Sequence, residues 1–424
     1  MADIRVRRGI SSILTLGFFT LGAILCVFGV ALTFVASPRV SPVFAAGTQS
    51  QYAIRIGGYI KLHADYYLGD VPSLEKAGVE GEGSNYLASG RSAGIRQDLE
   101  LFLDSRVRDR YQLYVSLNSH GYWGVQYASD GSYGVPPTTG PLLIDQAYLG
   151  YYGDRLKVNA GRLYFSLGPV GLIARNDYSA IEGLAVDTML GGFYLAGIYS
   201  RLSSQYDPSG VVVRGADDFV ALRVARRMGD FLVGYNHVLS GLGDESAQSI
   251  DFEGAIYNRR VRGEIARMRP STTSFDGNGD GDKYDTGWRP AFFVEGDILN
   301  RPSGRLTLSY GYFARGFTPT FTSLYDEGDE KGIGFAHNTE GLRLKYDRVL
   351  SGAVHLEAGL SRLKFIDEQY AHETGTDRTT PLTMAWVGLA KGIGENMEAG
   401  IRYTQRSNDY MDYGCVSASL SAGF

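Results

Sequence analysis

The last thirteen residues, Asp412–Phe424, limit the fold more than any other stretch. Val416, Ala418, Leu420, Ala422 and Phe424 fall on one face at period two, and Cys415, Ser417, Ser419 and Ser421 fall on the other. A strand that is apolar on one side and small and polar on the other fits poorly in a water-soluble sandwich. It fits a transmembrane β-barrel, whose outer face meets lipid and whose inner face meets water. A barrel has no free edge, so this strand needs a partner. Tyr52–Leu68 supplies one. Ile54, Ile56, Gly58, Ile60, Leu62 and Ala64 alternate there with Arg55, Gly57, Tyr59, Lys61, His63 and Asp65. Two matching ends imply a closed sheet between them.

Between those ends the chain alternates short and long connections. Strands are expected at 52–68, 93–106, 110–119, 142–152, 155–165, 183–189, 192–202, 217–228 and 230–240. Nine more are expected at 249–257, 260–269, 288–299, 304–315, 337–348, 351–366, 382–392, 396–405 and 412–424. The reading is all-β, an antiparallel up-and-down barrel of 18 strands. Short joins such as Gly153-Asp154, Gly229-Asp230 and Asn258-Arg259 follow the even-numbered strands. Long polar connections, such as 69–92, 120–141, 166–182, 270–287 and 316–336, follow the odd ones. Tight turns at one rim and long loops at the other are how outer-membrane barrels are built. The weakest strand is 183–189, and dropping it with one neighbour gives 16.

The polar face of these strands is charged. Asp98, Glu100 and Asp104 oppose Leu99, Leu101 and Leu103, and Arg343 and Lys345 oppose Leu342 and Leu344. A soluble barrel core is filled by apolar side chains, so the interior here is expected to hold water.

Residues 1–46 read as a signal peptide, and 47–424 as the barrel domain. Arg5, Arg7 and Arg8 precede the apolar run Ile13–Ala36, and Ala45-Ala46 offers a cleavage site. That run of 24 residues is long enough to span a bilayer as an uncleaved anchor, which is the alternative. The whole chain carries 41 Lys+Arg against 46 Asp+Glu, no footprint for nucleic acid. Gly at 56 and Tyr at 29 suit twisted strands and membrane–water interfaces. Beyond the leader only Cys415 remains, which excludes an internal disulfide.

The opening IRIGGYIKLHADYYLGD, the segment RQDLELFLDSRVRD and the terminal Phe424 resemble the trimeric Gram-negative porins, the first of them most nearly the DcaP-like porins. The resemblance implies a homotrimer in the outer membrane, in contact with its lipid. It also implies a passive channel for small hydrophilic solutes, with the third long loop folded into the lumen. The chain departs from the DcaP-like pattern in lacking a coiled-coil segment before the first strand. It also lacks the acidic third-loop signature of general diffusion porins, so no substrate carries over.

That third loop, from Ser166 to Gly183, is rich in apolar residues: Leu167, Val170, Leu172, Ile173, Ala174 and Ile181. A loop of that composition packs against something. Folded inward, it would present Arg175, Asn176, Asp177 and Glu182 to the pore; the alternative is a subunit contact. Arg96, Arg223, Arg260, Arg262, Arg343, Lys345 and Arg402 also read as pore-lining. Arg heads two residues apart, as at 260/262 and 343/345, stack roughly 7 Å apart along a strand. Such a ladder eases an anion through and predicts a mild preference for anions and small carboxylates. The competing reading is that these cations pair with acids across the wall and stiffen it. An adhesive or structural envelope barrel, working through its long loops, is the alternative from another class. No set of residues points to an enzyme: the six His lie singly, without a metalloprotease spacing or a nucleophile elbow.

No cofactor is required, but one loop has a calcium-site spacing. Asp276, Asn278, Asp280 and Asp282 alternate around a turn at Gly281, and Asp285 stands near the place of the missing bidentate Glu. Weak Ca²⁺ binding follows, with Kd about 0.1–1 mM as in extracellular modules. Calorimetric titration should show a heat that Asp280→Ala lacks; equal heats in both would reduce the segment to an acidic loop.

Overall fold

A computed structural model describes residues 52–70, 94–123, 142–202, 217–240, 245–269, 287–319, 333–378 and 380–424. The leader and the 276–285 loop lie outside these residues. The described chain forms one closed sheet of 18 antiparallel strands. In chain order they are β1 (Tyr52–Asp70), β2 (Gly94–Val107), β3 (Tyr111–Trp123), β4 (Leu143–Tyr152), β5 (Leu156–Ser166) and β6 (Arg175–Leu190). Next come β7 (Phe193–Leu202), β8 (Asp217–Met228), β9 (Phe231–Ser240), β10 (Glu245–Ile256), β11 (Arg259–Arg269) and β12 (Arg289–Arg301). The last six are β13 (Gly304–Phe313), β14 (Thr339–Val349), β15 (Val354–Phe365), β16 (Thr383–Ile393), β17 (Met397–Ser407) and β18 (Asp412–Gly423).

Each strand pairs with its neighbours in sequence, and β18 pairs back onto β1 from Tyr59↔Gly423 to Asp70↔Asp412. The expected closure between the two ends is therefore present, and the 16-strand alternative is excluded. Hairpins after even-numbered strands are tight. Arg108 and Asp109 (φ 52° and 54°) and Tyr257 and Asn258 (φ 49° and 62°) take the left-handed conformation. Turns of that hand match the twist of the strands they join.

The exterior is apolar. Ile56 is 73% exposed, Leu149 64% and Ile265 58%, all on the outward register of their strands. Polar and charged groups are buried instead: Ser116, Asn236, Asp251 and Glu264 are wholly enclosed. This inversion of the soluble pattern is what a lipid-facing wall requires.

Two expectations are corrected. The strand read at 183–189 runs from Arg175 to Leu190, because Asn176 and Arg175 pair with Phe165 and Ser166 past a register shift in which residues 177–180 of β6 stand opposite Tyr164 alone. The polar run Arg175–Ser179 reads as loop, but the pairing of Arg175 and Asn176 with β5 outweighs the local preference. The interior is also not water throughout. Phe219, Val238, Met268, Phe293 and Phe313 point inward from β8, β9, β11, β12 and β13 and join one buried apolar cluster with loop residues.

Closure is tightest where the chain ends. Gly58 and Phe424 exchange backbone hydrogen bonds at 3.1 and 3.0 Å, and a Cβ on Gly58 would stand 2.8 Å from the Phe424 ring and closer still to the Glu100 carbonyl. Gly58→Val should therefore cost about 1–3 kcal/mol, as overpacking does, and lower the urea midpoint of the refolded barrel. Gly392→Val, where the nearest atom is 4.0 Å away, should leave the midpoint in place.

Candidate functional site

The apolar residues between β5 and β6 fold into the barrel. Leu167, Val170, Leu172, Ile173 and Ala174 are 0–4% exposed and pack into the cluster on the inner wall of β8–β13. The turn closes on itself through Leu167 N–H donating to the Ala174 carbonyl at 2.8 Å. Its polar backbone, taken out of water, is satisfied by the wall. The N–H groups of Gly171 and Leu172 both donate to Glu264 Oε2 at 2.9 Å, and Arg262 Nη1 donates to the Pro169 carbonyl at 2.7 Å. Gly168 and Gly171 hold φ of 81° and 75°. A Cβ on Gly168 would meet Arg223 Nη1 and Asp251 Oδ2 within 2.9 Å, so the backbone lies directly on the charged wall.

That wall is a closed network. Arg223 forks onto Asp251, with Nη2 donating to Oδ1 at 2.8 Å and Nη1 to Oδ2. Asn236 accepts from Arg223 at 3.1 Å and donates to Ser249 and Asp251 at 2.9 and 2.6 Å. Pairing of this completeness is what makes buried charge tolerable.

A second stretch enters beside it. Phe335, from the connection between β13 and β14, meets Phe293 edge to face and Phe313 at a tilt, with centroids 5.8 and 5.7 Å apart. Arg343 Nη1 reaches the Ile333 carbonyl at 3.3 Å. At the rim Asn338 donates to the Asp367 carbonyl at 2.7 Å and accepts the Asp367 N–H at 3.0 Å. Asp367 caps α1 (Glu368–Glu373) through Tyr370 N–H. That bond, and then the Arg315 guanidinium, hold its carboxyl below the usual range. Burial lowers the pKa of His337 alongside.

The other inward cations are largely paired. Arg260 meets Glu253 at 2.6 Å, Arg262 meets Glu295 at 2.9 Å and Arg305 meets Asp297 at 2.7 Å. Lys345 lies between Asp347 (3.5 Å) and Glu357 (3.8 Å). Arg343 and Arg402 instead stack on the Trp386 ring at 5.1 and 5.6 Å, and Trp386 donates to Glu357 at 2.9 Å. The indole lies against Gly359, where a Cβ would collide with it. Below this group, towards the short turns, a cavity of about 790 Å³ is lined by seven Lys and Arg against four Asp and Glu. Five of those seven, Lys61, Arg305, Lys345, Arg402 and Arg406, point inward by strand register.

Glu182 departs from expectation. Ile181 belongs to the luminal cluster, so its neighbour Glu182 turns to the opposite face with exposed Leu184, across from Arg162 at 3.9 Å. Arg175 ends the inward turn, its Cβ against Gly171. The side chains of Arg96 and Asp177 lie outside the described residues. Asp251, Asn236, Arg305 and Trp386 were missed in the sequence. The alternation Ser249, Asp251, Glu253 on one face was the available signal for the first of them.

No family model and no curated protein matches the chain. Solved structures do. Pseudomonas aeruginosa OccK9 (OpdG) superposes with a TM-score of 0.58 at 12% identity, covering 88% of this chain and 98% of that one. P. aeruginosa OpdK, solved with vanillate, gives 0.54 at 10% over 87% and 98%. Acinetobacter baumannii OccAB1 gives 0.53 at 10% over 87% and 96%. At these identities the likeness is one of fold.

Glu264 is the point on which the inward turn hangs. Glu264→Ala removes the shared acceptor of two backbone hydrogen bonds, about 0.5–3 kcal/mol each. The turn should loosen, and single-channel records should become larger or noisier in conductance. Glu264→Gln, which keeps an acceptor, should fall between. A steady conductance equal to wild type in both would assign the turn's position to apolar packing alone.

Proposed function

We propose that the chain is an outer-membrane porin: a passive, water-filled channel for small hydrophilic solutes, with a mild preference for anions and small carboxylates. The observation that carries it is a wide closed barrel, apolar outside, whose lumen is narrowed by an inward turn and holds a cavity with more cations than acids. The pairing of Arg223, Arg260, Arg262 and Lys345 with acids takes these out of the ladder, so the preference rests on Arg343 and Arg402, both stacked on Trp386. An ion feels this local field, which is screened beyond about 8–10 Å at physiological salt, more than the net charge of the chain. A cation pair beside an indole suits a carboxylate with a flat apolar body, and vanillate, present in the OpdK structure, is of that kind. A homotrimer embedded in outer-membrane lipid, secretion through a cleaved leader and weak Ca²⁺ binding at 276–285 complete the reading.

Reversal potential under a KCl gradient tests it. The wild type should favour Cl⁻, and Arg343→Ala with Arg402→Ala should move the potential towards zero. A channel that prefers K⁺ would sink the anion reading. A refolded barrel that never opens a steady conductance would sink the channel itself.

A further inference from the structure

One row on the outer wall departs from the apolar belt. Strand register sets His237, Gln248, Arg267 and Pro290 side by side across β9–β12, near the long-loop rim. They face outward: Arg267 shares its side of β11 with Ile265, 58% exposed, and Gln248 shares its side of β10 with Ile250, 56% exposed. The Arg267 guanidinium is fixed in place. Its Nε and Nη2 donate to Gln248 Oε1 at 3.2 and 2.8 Å, and its central carbon sits 4.5 Å from the Trp288 ring centroid. Arg269 follows two residues on, on the same face. Among the described residues neither guanidinium meets a carboxylate. Lys364, an outward cation of β15, contrasts with them, since Glu340 neutralises it at 2.5 Å.

A cation on the lipid face is costly at the bilayer midplane and tolerated where the strands reach the headgroups. An Arg held flat on an indole, with one edge on an amide, presents its remaining N–H groups in a fixed direction, the geometry that suits phosphate. We propose that Arg267 and Arg269, with Gln248 and Trp288, form a docking site for the phosphate of an anionic lipid in the leaflet on the long-loop side. Exposed Ile250 and Ile265 lie beside the two cations towards the membrane centre, so the same surface receives acyl chains. That apolar floor argues for a lipid and not free phosphate. The inference rests on the membrane-barrel reading above.

Native mass spectrometry of the full-length barrel, released from micelles carrying a diphosphorylated glycolipid, tests it. The wild type should retain the lipid, and R267Q/R269Q should retain it about thirtyfold less, as two near-surface cations are lost. The dephosphorylated glycolipid with the same acyl chains should not be retained. R226Q, which removes an outward cation near the short-turn rim, should behave as wild type. R267K, which keeps charge but loses the planar fork, should fall between and serves if the double variant does not fold. Equal retention by R267Q/R269Q, equal retention of the dephosphorylated lipid, or displacement by inorganic phosphate alone would overturn the site. Conductance of the same preparations separates the two readings: a silent wild type that keeps the lipid defeats the channel and leaves the docking site standing.

Discussion

Every backbone polar group that faces lipid must find its partner within the sheet, because hydrocarbon offers none. The twelve-residue register between β1 and β18 meets that demand at the one place where the chain could have left an edge. The rest follows from it. Closure fixes which face of each strand is outward, and period two then assigns each side chain to lipid or lumen. With the outer belt given over mainly to apolar residues, most of the polar chemistry falls to the inside. The buried Arg223–Asp251–Asn236 network and the acids beside Arg260, Arg262 and Arg305 are products of that sorting.

The lumen is in turn divided. On the β8–β13 side it is filled by an apolar cluster capped by two inward loop stretches, and on the β13–β18 side it stays open and charged. The division comes from residue choice within single strands. In β11, Arg260 and Arg262 give way to Glu264, Ala266 and Met268 on the same face as the strand climbs towards the long-loop rim. Charge at the turn end yields to small and apolar side chains where the inward turn needs a dry floor. Glu264 sits at the boundary, where its carboxylate serves backbone N–H groups that would otherwise lose water without recompense.

Much of this was legible in the chain. The alternation and the rhythm of short and long joins located all eighteen strands, since both signals are local and lipid enforces them on every strand. The inward turn was legible through its composition, as six apolar residues in a loop need cover. What escaped were properties that depend on neighbours. Glu182 was read as lumen-facing because its strand seemed to begin at Gly183, and an extension back to Arg175 reverses its face. Arg223 and Arg262 were read as available charges because their partners Asp251 and Glu295 lie 28 and 33 residues away. Trp386 was passed over for a related reason. Its role comes from Arg343, two strands back on β14, from Arg402 on the next strand, β17, and from the missing side chain at Gly359.

The anchors of the inward turn also bear on the order in which the molecule can assemble. Gly171 finds its acceptor 93 residues further along the chain, so an apolar stretch made with β5 has no resting place until β11 has joined the sheet. Contacts that span such separations form late, because the loop they close must first be ordered. During insertion the segment is a greasy tether without a berth, and nascent chains in that state are prone to stray association. Its shortness and its three glycine and proline residues, Gly168, Pro169 and Gly171, make it a poor strand. A poor strand is a poor template for the wrong neighbour during that interval.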